Sequence, residues 1–201
     1  AFVQVTTTDI STANIGSPWP QYSIDYNLQM SRRVYLSASG LSGAYFASTP
    51  GDNGNNWSTT GNLYAPMVTK ANAALANMGV SKPRGIFLEL GINDSRSTVD
   101  LSVVQTNVVS LFDRLEADFP GTRIYVTNIG RNQDGISTVR IDAIREYITT
   151  EISARANVYE CYDLRIFAES FPEYYSADDV HLNQTGNNAW GVIMADYLIL
   201  N

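Results

Sequence analysis

A single cysteine, a single histidine and no long apolar run leave this 201-residue chain without the raw material of many common functions. Cys161, standing alone, permits no internal disulfide and no cysteine-lined metal cage; free cysteine is usually buried, and a place at a strand end is expected. One histidine excludes a His-Glu-x-x-His zinc helix. A membrane span needs about 18–20 consecutive apolar residues, and no such run occurs. Positive charge is scarce and scattered: the net charge is −7, and without a basic stripe there is no footprint for a phosphate backbone, so no nucleic-acid partner is expected. A Gly-x-Ser-x-Gly elbow, a Walker loop and a Gly-x-Gly-x-x-Gly turn are all missing, which argues against an ordinary α/β-hydrolase and against a nucleotide cofactor. Asp52-Asn53-Gly54-Asn55-Asn56 hints at calcium but lacks a distal glutamate at the right spacing, so a polar turn is expected there. No metal or organic cofactor is expected.

What is present is a rhythm. Short β-rich runs at 2–8, 33–37, 85–90, 123–127 and 157–162 alternate with helical patterns at 18–30, 63–78, 100–118, 137–154 and 184–200. That alternation predicts an α/β domain with a parallel sheet of about five strands, and the length suits one domain over residues 1–201. The third run, Gly-Ile-Phe-Leu-Glu-Leu, is almost wholly apolar, as a strand covered on both faces should be. In the third helix Val103, Val104, Val108, Leu111, Phe112 and Leu115 form the expected buried stripe, with Ser97, Thr98 or Asp100 as its cap. The first residues, Ala1-Phe2-Val3-Gln4-Val5, have no leader pattern and read as a mature or excised domain.

Ligands of doubly wound sheets bind at the carboxyl ends of the strands. Four segments are expected on that rim. Ser11 follows the first strand; the Gly- and Ser-rich stretch from Ser39, with Gly43, follows the second; Gly91-Ile92-Asn93-Asp94 follows the third; Asp178-Asp179-Val180-His181 precedes the last helix. His181 is the one natural general base near neutral pH, and Asp178 lies three residues upstream, within reach of its ring through a short turn. Asn93 offers an amide and Gly43 an unobstructed backbone N–H. Taken singly, each is also an ordinary turn residue.

These segments, in this order, resemble the blocks of the SGNH (GDSL-type) hydrolases, a family of esterases and lipases. Asp178-Asp179-Val180-His181-Leu182-Asn183-Gln184-Thr185-Gly186 is similar to its Asp-x-x-His block, Gly91-Ile92-Asn93-Asp94 to its Gly-x-Asn-Asp block, and Ser39 to Ala44 to its glycine block. The resemblance implies a three-layer, flavodoxin-like α/β/α sandwich. It also implies His181 as base, Asp178 as its orienter, and Asn93 with Gly43 as oxyanion donors. The nucleophilic serine should sit in a Gly-Asp-Ser turn; here Asp9-Ile10-Ser11 lacks that turn, and Ser11 is the best candidate ahead of Ser17 and Thr8. A rim carrying Tyr45, Phe46, Trp57, Tyr64, Arg131, Asn132 and Gln133 mixes rings with polar groups, which suits a sugar, and Tyr45, Trp57 and Arg131 are expected to bind substrate. The expectation is therefore a serine esterase removing O-acetyl groups from a polysaccharide or glycan, with no membrane partner. As among similar carbohydrate esterases, it is expected to be part of a larger secreted, cell-surface or virion-associated (phage tail) polypeptide. The rival expectation is a catalytically inactive carbohydrate-binding module on the same scaffold.

Overall fold

Three parallel strands, β1 (Gly85–Leu88), β2 (Arg123–Asn128) and β3 (Val158–Asp163), lie side by side in that order and form the sheet seen among the described residues. The structure, a computed structural model, describes residues 17–200 except Arg33, Ala38, Gly40, Leu41, Ser42 and Gln133. Gly85 pairs with Arg123 and Leu88 with Val126 across β1 and β2; Ile124 pairs with Val158 across β2 and β3, with a register shift at Val126/Thr127. The helices are α1 (Trp19–Met30), α2 (Tyr64–Met78), α3 (Leu101–Asp118), α4 (Val139–Ala154), α5 (Arg165–Ser170) and α6 (Gln184–Leu200).

Period-two alternation along the strands sorts the core into two halves. Ile86, Leu88, Ile124, Val126 and Val158 face one side, where α2, α3 and α4 supply Leu75, Val108, Leu111, Phe112, Ile144 and Ile148. Phe87, Tyr125, Tyr159 and Cys161 face the other, where α1, α5 and α6 supply Tyr22, Tyr26, Phe167, Met194 and Leu198. The result is the three-layer α/β/α arrangement. Cys161 lies inside β3 rather than at its end, and burial pushes its thiol up to about 12, which makes it inert near neutral pH.

Several expectations change. The run at 2–8 lies outside the described residues. Within 33–37, Val34 and Leu36 are half-buried against the second core while Tyr35 and Ser37 are exposed, so the alternation is present. No ladder partner for them exists among the described residues, and a strand is defined by its neighbour. In α3 the stripe is Val104, Val108, Leu111, Phe112 and Leu115; Val103 stands about 100° round the helix from Val104 and is 43 % exposed. Asp100 is the N-cap residue of α3 but makes no side-chain cap bond, whereas the Thr138 hydroxyl accepts the Ile141 N–H at the start of α4. Asp52 closes the polar turn by accepting from the Thr49 and Gly54 N–H groups and the Asn56 amide.

Gly91 ends β1's extension with φ +110°, and a Cβ there would meet Ile144 Cγ2 at 3.0 Å and Phe46 Cε2 at 3.2 Å. Both the left-handed backbone and the close packing require glycine. Gly91→Ala is expected to destabilise the protein by about 2–3 kcal/mol, read as a lower urea midpoint at unchanged slope. A midpoint equal to that of the wild type would show that the turn relaxes freely.

Candidate active site

The turn before α6 is built by one carboxylate. Asp178 Oδ1 accepts from the Ser176 hydroxyl at 2.6 Å and from the backbone N–H groups of Val180 and His181 at 3.0 Å each. Its Oδ2 lies 2.6 Å from His181 Nδ1. Asp179, at φ +60°, takes the left-handed step that folds the chain back on itself, a conformation aspartate tolerates better than most residues. Partial burial works against the Asp178 charge, but the bonds from the Ser176 hydroxyl, the His181 ring and the two backbone N–H groups outweigh it. Together they hold its carboxyl well below the usual range. Stability from this group is therefore present above the ordinary carboxylate pKa and lost only as pH falls through the lowered value. At any pH near neutrality the carboxylate can only accept, so Nδ1 of a neutral His181 carries the proton and Nε2 presents its lone pair. The ring is exposed, with 53 % of the side chain accessible, so a substrate can reach it.

The second group gathers behind β1. Asn93 Nδ2 donates to the Ala44 carbonyl at 3.0 Å, which brings the segment of Gly43 to the Gly91–Asn93 turn. Gly43 is exposed with φ +77°, and a Cβ there would meet nothing within 4 Å. That bond uses one N–H of the Asn93 amide and leaves the other. Asn93 is thus joined by a direct hydrogen bond to Ala44, the residue that follows Gly43.

Asp94 holds this arrangement. It is fully buried and accepts from the Phe46 N–H at 2.8 Å and the Ala47 N–H at 3.2 Å, while the Arg140 Nε donates to its carbonyl. Burial raises its pKa from the ordinary 3.8 to about 6, against the backbone bonds and Arg140, which lower it. A raised carboxyl contributes stability that is complete below about 3.8 and is lost as pH rises through about 6. The stability of the wild type minus that of Asp94→Asn is expected to fall by about 2–3 kcal/mol between pH 4 and pH 7, measured by urea unfolding. A flat difference would mean that Asp94 does not titrate in that window.

Further links join the strand ends. The Asn132 amide donates to the Ser95 hydroxyl at 2.9 Å, and buried Arg145 donates to the carbonyls of Ile129 and Gly130. The Tyr175 hydroxyl donates to the Leu164 carbonyl, and the Arg131 guanidinium lies over the Tyr175 ring at 5.4 Å and 3.7 Å from Asp179. The segments at 43–47, 91–95, 129–132 and 175–181 are therefore linked in sequence along the carboxyl ends of the strands.

The expected rim is smaller than its sequence suggests. Phe46, Trp57 and Tyr64 belong to the first core; Trp57 is only 7 % exposed, and the Tyr64 hydroxyl is spent on Asp118. Asn132 is fully buried. Tyr45 stays half-buried and pairs through its backbone with Asn56, and Arg131 stays on the rim. Ser11, Thr8 and Gln133 lie outside the described residues. The Ser17 hydroxyl accepts the Trp19 N–H at 3.3 Å just before α1, a local bond two residues along the chain. Asp94 was the residue whose structural role sequence reasoning missed; a signal existed, because an acid beside Asn93 just past a buried strand must find partners indoors.

The sequence from 12 to 189 matches the family model described as GDSL-like Lipase/Acylhydrolase family. Among solved structures, a protein from Arabidopsis thaliana superposes with a TM-score of 0.69 at 18 % identity, over 92 % of this chain and 68 % of that one. That likeness shows the same fold. An acetyl esterase mutant with acetate ion (20 % identity) and a carbohydrate esterase family 3 protein from Talaromyces cellulolyticus (19 %) each align over 63 % of this chain and 60 % of their own, at TM-score 0.48. No curated protein matches.

Proposed function

This chain belongs to the GDSL-like lipase/acylhydrolase family, and from that premise we propose that it is a serine esterase acting by acyl transfer to water. Ser11 Oγ attacks the ester carbonyl carbon while His181 Nε2 takes its proton, and Asp178 stabilises the imidazolium. The free N–H of Asn93 with the Gly43 and Ser11 backbone N–H groups holds the oxyanion. Collapse expels the alcohol, which leaves with the proton from His181. Water then attacks the acyl-enzyme by the same route, releasing the acid and restoring Ser11. The observation that carries this reading is the 2.6 Å contact between Asp178 Oδ2 and Nδ1 of an exposed His181, which favours the tautomer a base requires.

The favoured substrate is an O-acetylated polysaccharide or glycan. Its support is the polar character of the rim around Tyr45 and Arg131. The altered turn before Ser11 favours the rival reading, a binding module without turnover. Nitrophenyl acetate hydrolysis by the wild type, Ser11→Ala and His181→Ala separates the two. Turnover abolished in both variants is expected. Wild-type protein that never turns over supports the binder, and activity that survives Ser11→Ala but not His181→Ala moves the nucleophile to another side chain.

A further inference from the structure

The carboxylate that faces His181 is loaded unevenly. Asp178 Oδ1 accepts three bonds, from the Ser176 hydroxyl at 2.6 Å and from the Val180 and His181 N–H groups at 3.0 Å each, whereas Oδ2 meets the His181 ring at 2.6 Å. Three donors on one oxygen fix the plane of the carboxylate and, with it, the direction of the other oxygen. Two of those donors are backbone groups, and an aspartate that accepts the N–H groups two and three residues on already closes its turn. The Ser176 hydroxyl is an addition that the turn does not require.

Ser176 is itself held in place. Its N–H donates to the His181 carbonyl at 2.8 Å, and its carbonyl accepts the Asp179 N–H at 3.0 Å. The hydroxyl therefore lies within reach of two acceptors, Asp178 Oδ1 at 2.6 Å and the His181 carbonyl at 3.0 Å, with one proton to give. The carboxylate is nearer and charged, and the carbonyl is already served by the Ser176 N–H, so the proton goes to Asp178. A donor on Oδ1 draws negative charge toward that oxygen and away from the one against the imidazole.

We propose that Ser176 is a positioning residue for His181: acting through Asp178, its hydroxyl fixes the oxygen that orients the ring and limits the negative charge the ring faces. The other charged groups around the turn are Asp179, Arg131 at 3.7 Å from Asp179, and Glu89 after β1, which interacts with the ring through its charge alone. Tyr175, whose ring lies under Arg131, keeps its proton because burial raises its pKa. Among the described residues none of these bonds to the Ser176 hydroxyl, so their effect on the ring is common to the wild type and the Ser176 variants. This inference rests on the esterase reading and deepens it.

The chain has one histidine, so NMR titration follows one set of ring signals and reads its midpoint without any substrate. Ser176→Ala deletes the hydroxyl, and Ser176→Thr and Ser176→Val supply the same shape with and without it; melting temperature checks folding. Without the hydroxyl more charge stays on Oδ2, which favours the imidazolium. The His181 midpoint is therefore expected to rise by about half a pH unit in Ser176→Ala and Ser176→Val and to return toward the wild type's in Ser176→Thr. The acid limb of kcat/KM for nitrophenyl acetate, which reports the base of the free enzyme, should move to higher pH by the same amount. A merely structural serine would lower the melting temperature and leave both midpoints in place, so unmoved midpoints overturn the proposal. Equal shifts in Ser176→Thr and Ser176→Val overturn it too, because the effect then follows shape and not the hydroxyl. Wild-type protein inactive at every pH rejects the esterase reading, and with it any part for Ser176 in a reaction, even if the NMR midpoint moves. An active wild type with unmoved midpoints in the variants rejects the Ser176 assignment alone.

Discussion

His181→Ala is expected to lower kcat for nitrophenyl acetate by about 10⁴-fold or more with KM little altered, because the chain has no second imidazole to take over. The lost group acts on the transition state, where Ser11 gives up its proton, and contributes little to holding the ester beforehand. His181 is exposed, so the variant should keep its melting temperature, which separates lost chemistry from lost folding. Asp178→Asn should follow at a smaller distance. It replaces an acceptor by an amide that can turn its NH₂ toward Nδ1, favouring the wrong tautomer, and it also weakens the turn held by Ser176, Val180 and His181. Stopped-flow or steady-state hydrolysis at pH 7 reads both. A His181→Ala enzyme within tenfold of the wild type would place the base elsewhere and dismantle the mechanism.

Asp94→Ala should be the most damaging change to the fold. The carboxylate it removes is the acceptor for two backbone N–H groups, Phe46 and Ala47, inside the protein. Leaving buried N–H groups unpaired costs about 1–3 kcal/mol each, so a loss of about 3 kcal/mol or more is expected in urea unfolding. Activity should fall further than stability alone explains, because the same bonds seat the segment that carries Gly43 beside Asn93. Asp94→Asn keeps an acceptor for one of the two amides and should lie between. A stable and fully active Asp94→Ala protein would show that the Gly43 segment is positioned by other contacts. The Asp94 effect differs in kind from that of His181: one supports the oxyanion donors and the other moves the proton.

Some of this was legible locally. The Asp178–His181 pair needed only three-residue spacing, because an aspartate that accepts the N–H groups two and three residues on brings its second oxygen to the ring of the third. The order of strands and helices was equally plain, since periods of 2 and 3.6 are properties of the chain itself. Aromatic residues were another matter. Trp57 sits in a polar, Gly-rich stretch and Tyr64 opens α2 just after it, and both read as rim, yet Arg114 of α3 covers the Tyr64 ring at 4.1 Å and donates to the Trp57 carbonyl. Nothing near them in sequence announces α3 as their partner.

The sequence by itself determined the alternation of elements, the family, and the closed turn that aims His181, because each depends on neighbours a few residues apart or on a motif in fixed order. Only the tertiary structure decided which aromatics belong to the core and that Asp94 seats the segment next to Gly43. Those outcomes depend on segments 48 to 57 residues apart in the chain meeting in the fold. Burial and pairing at such distances follow from packing rather than from any local pattern.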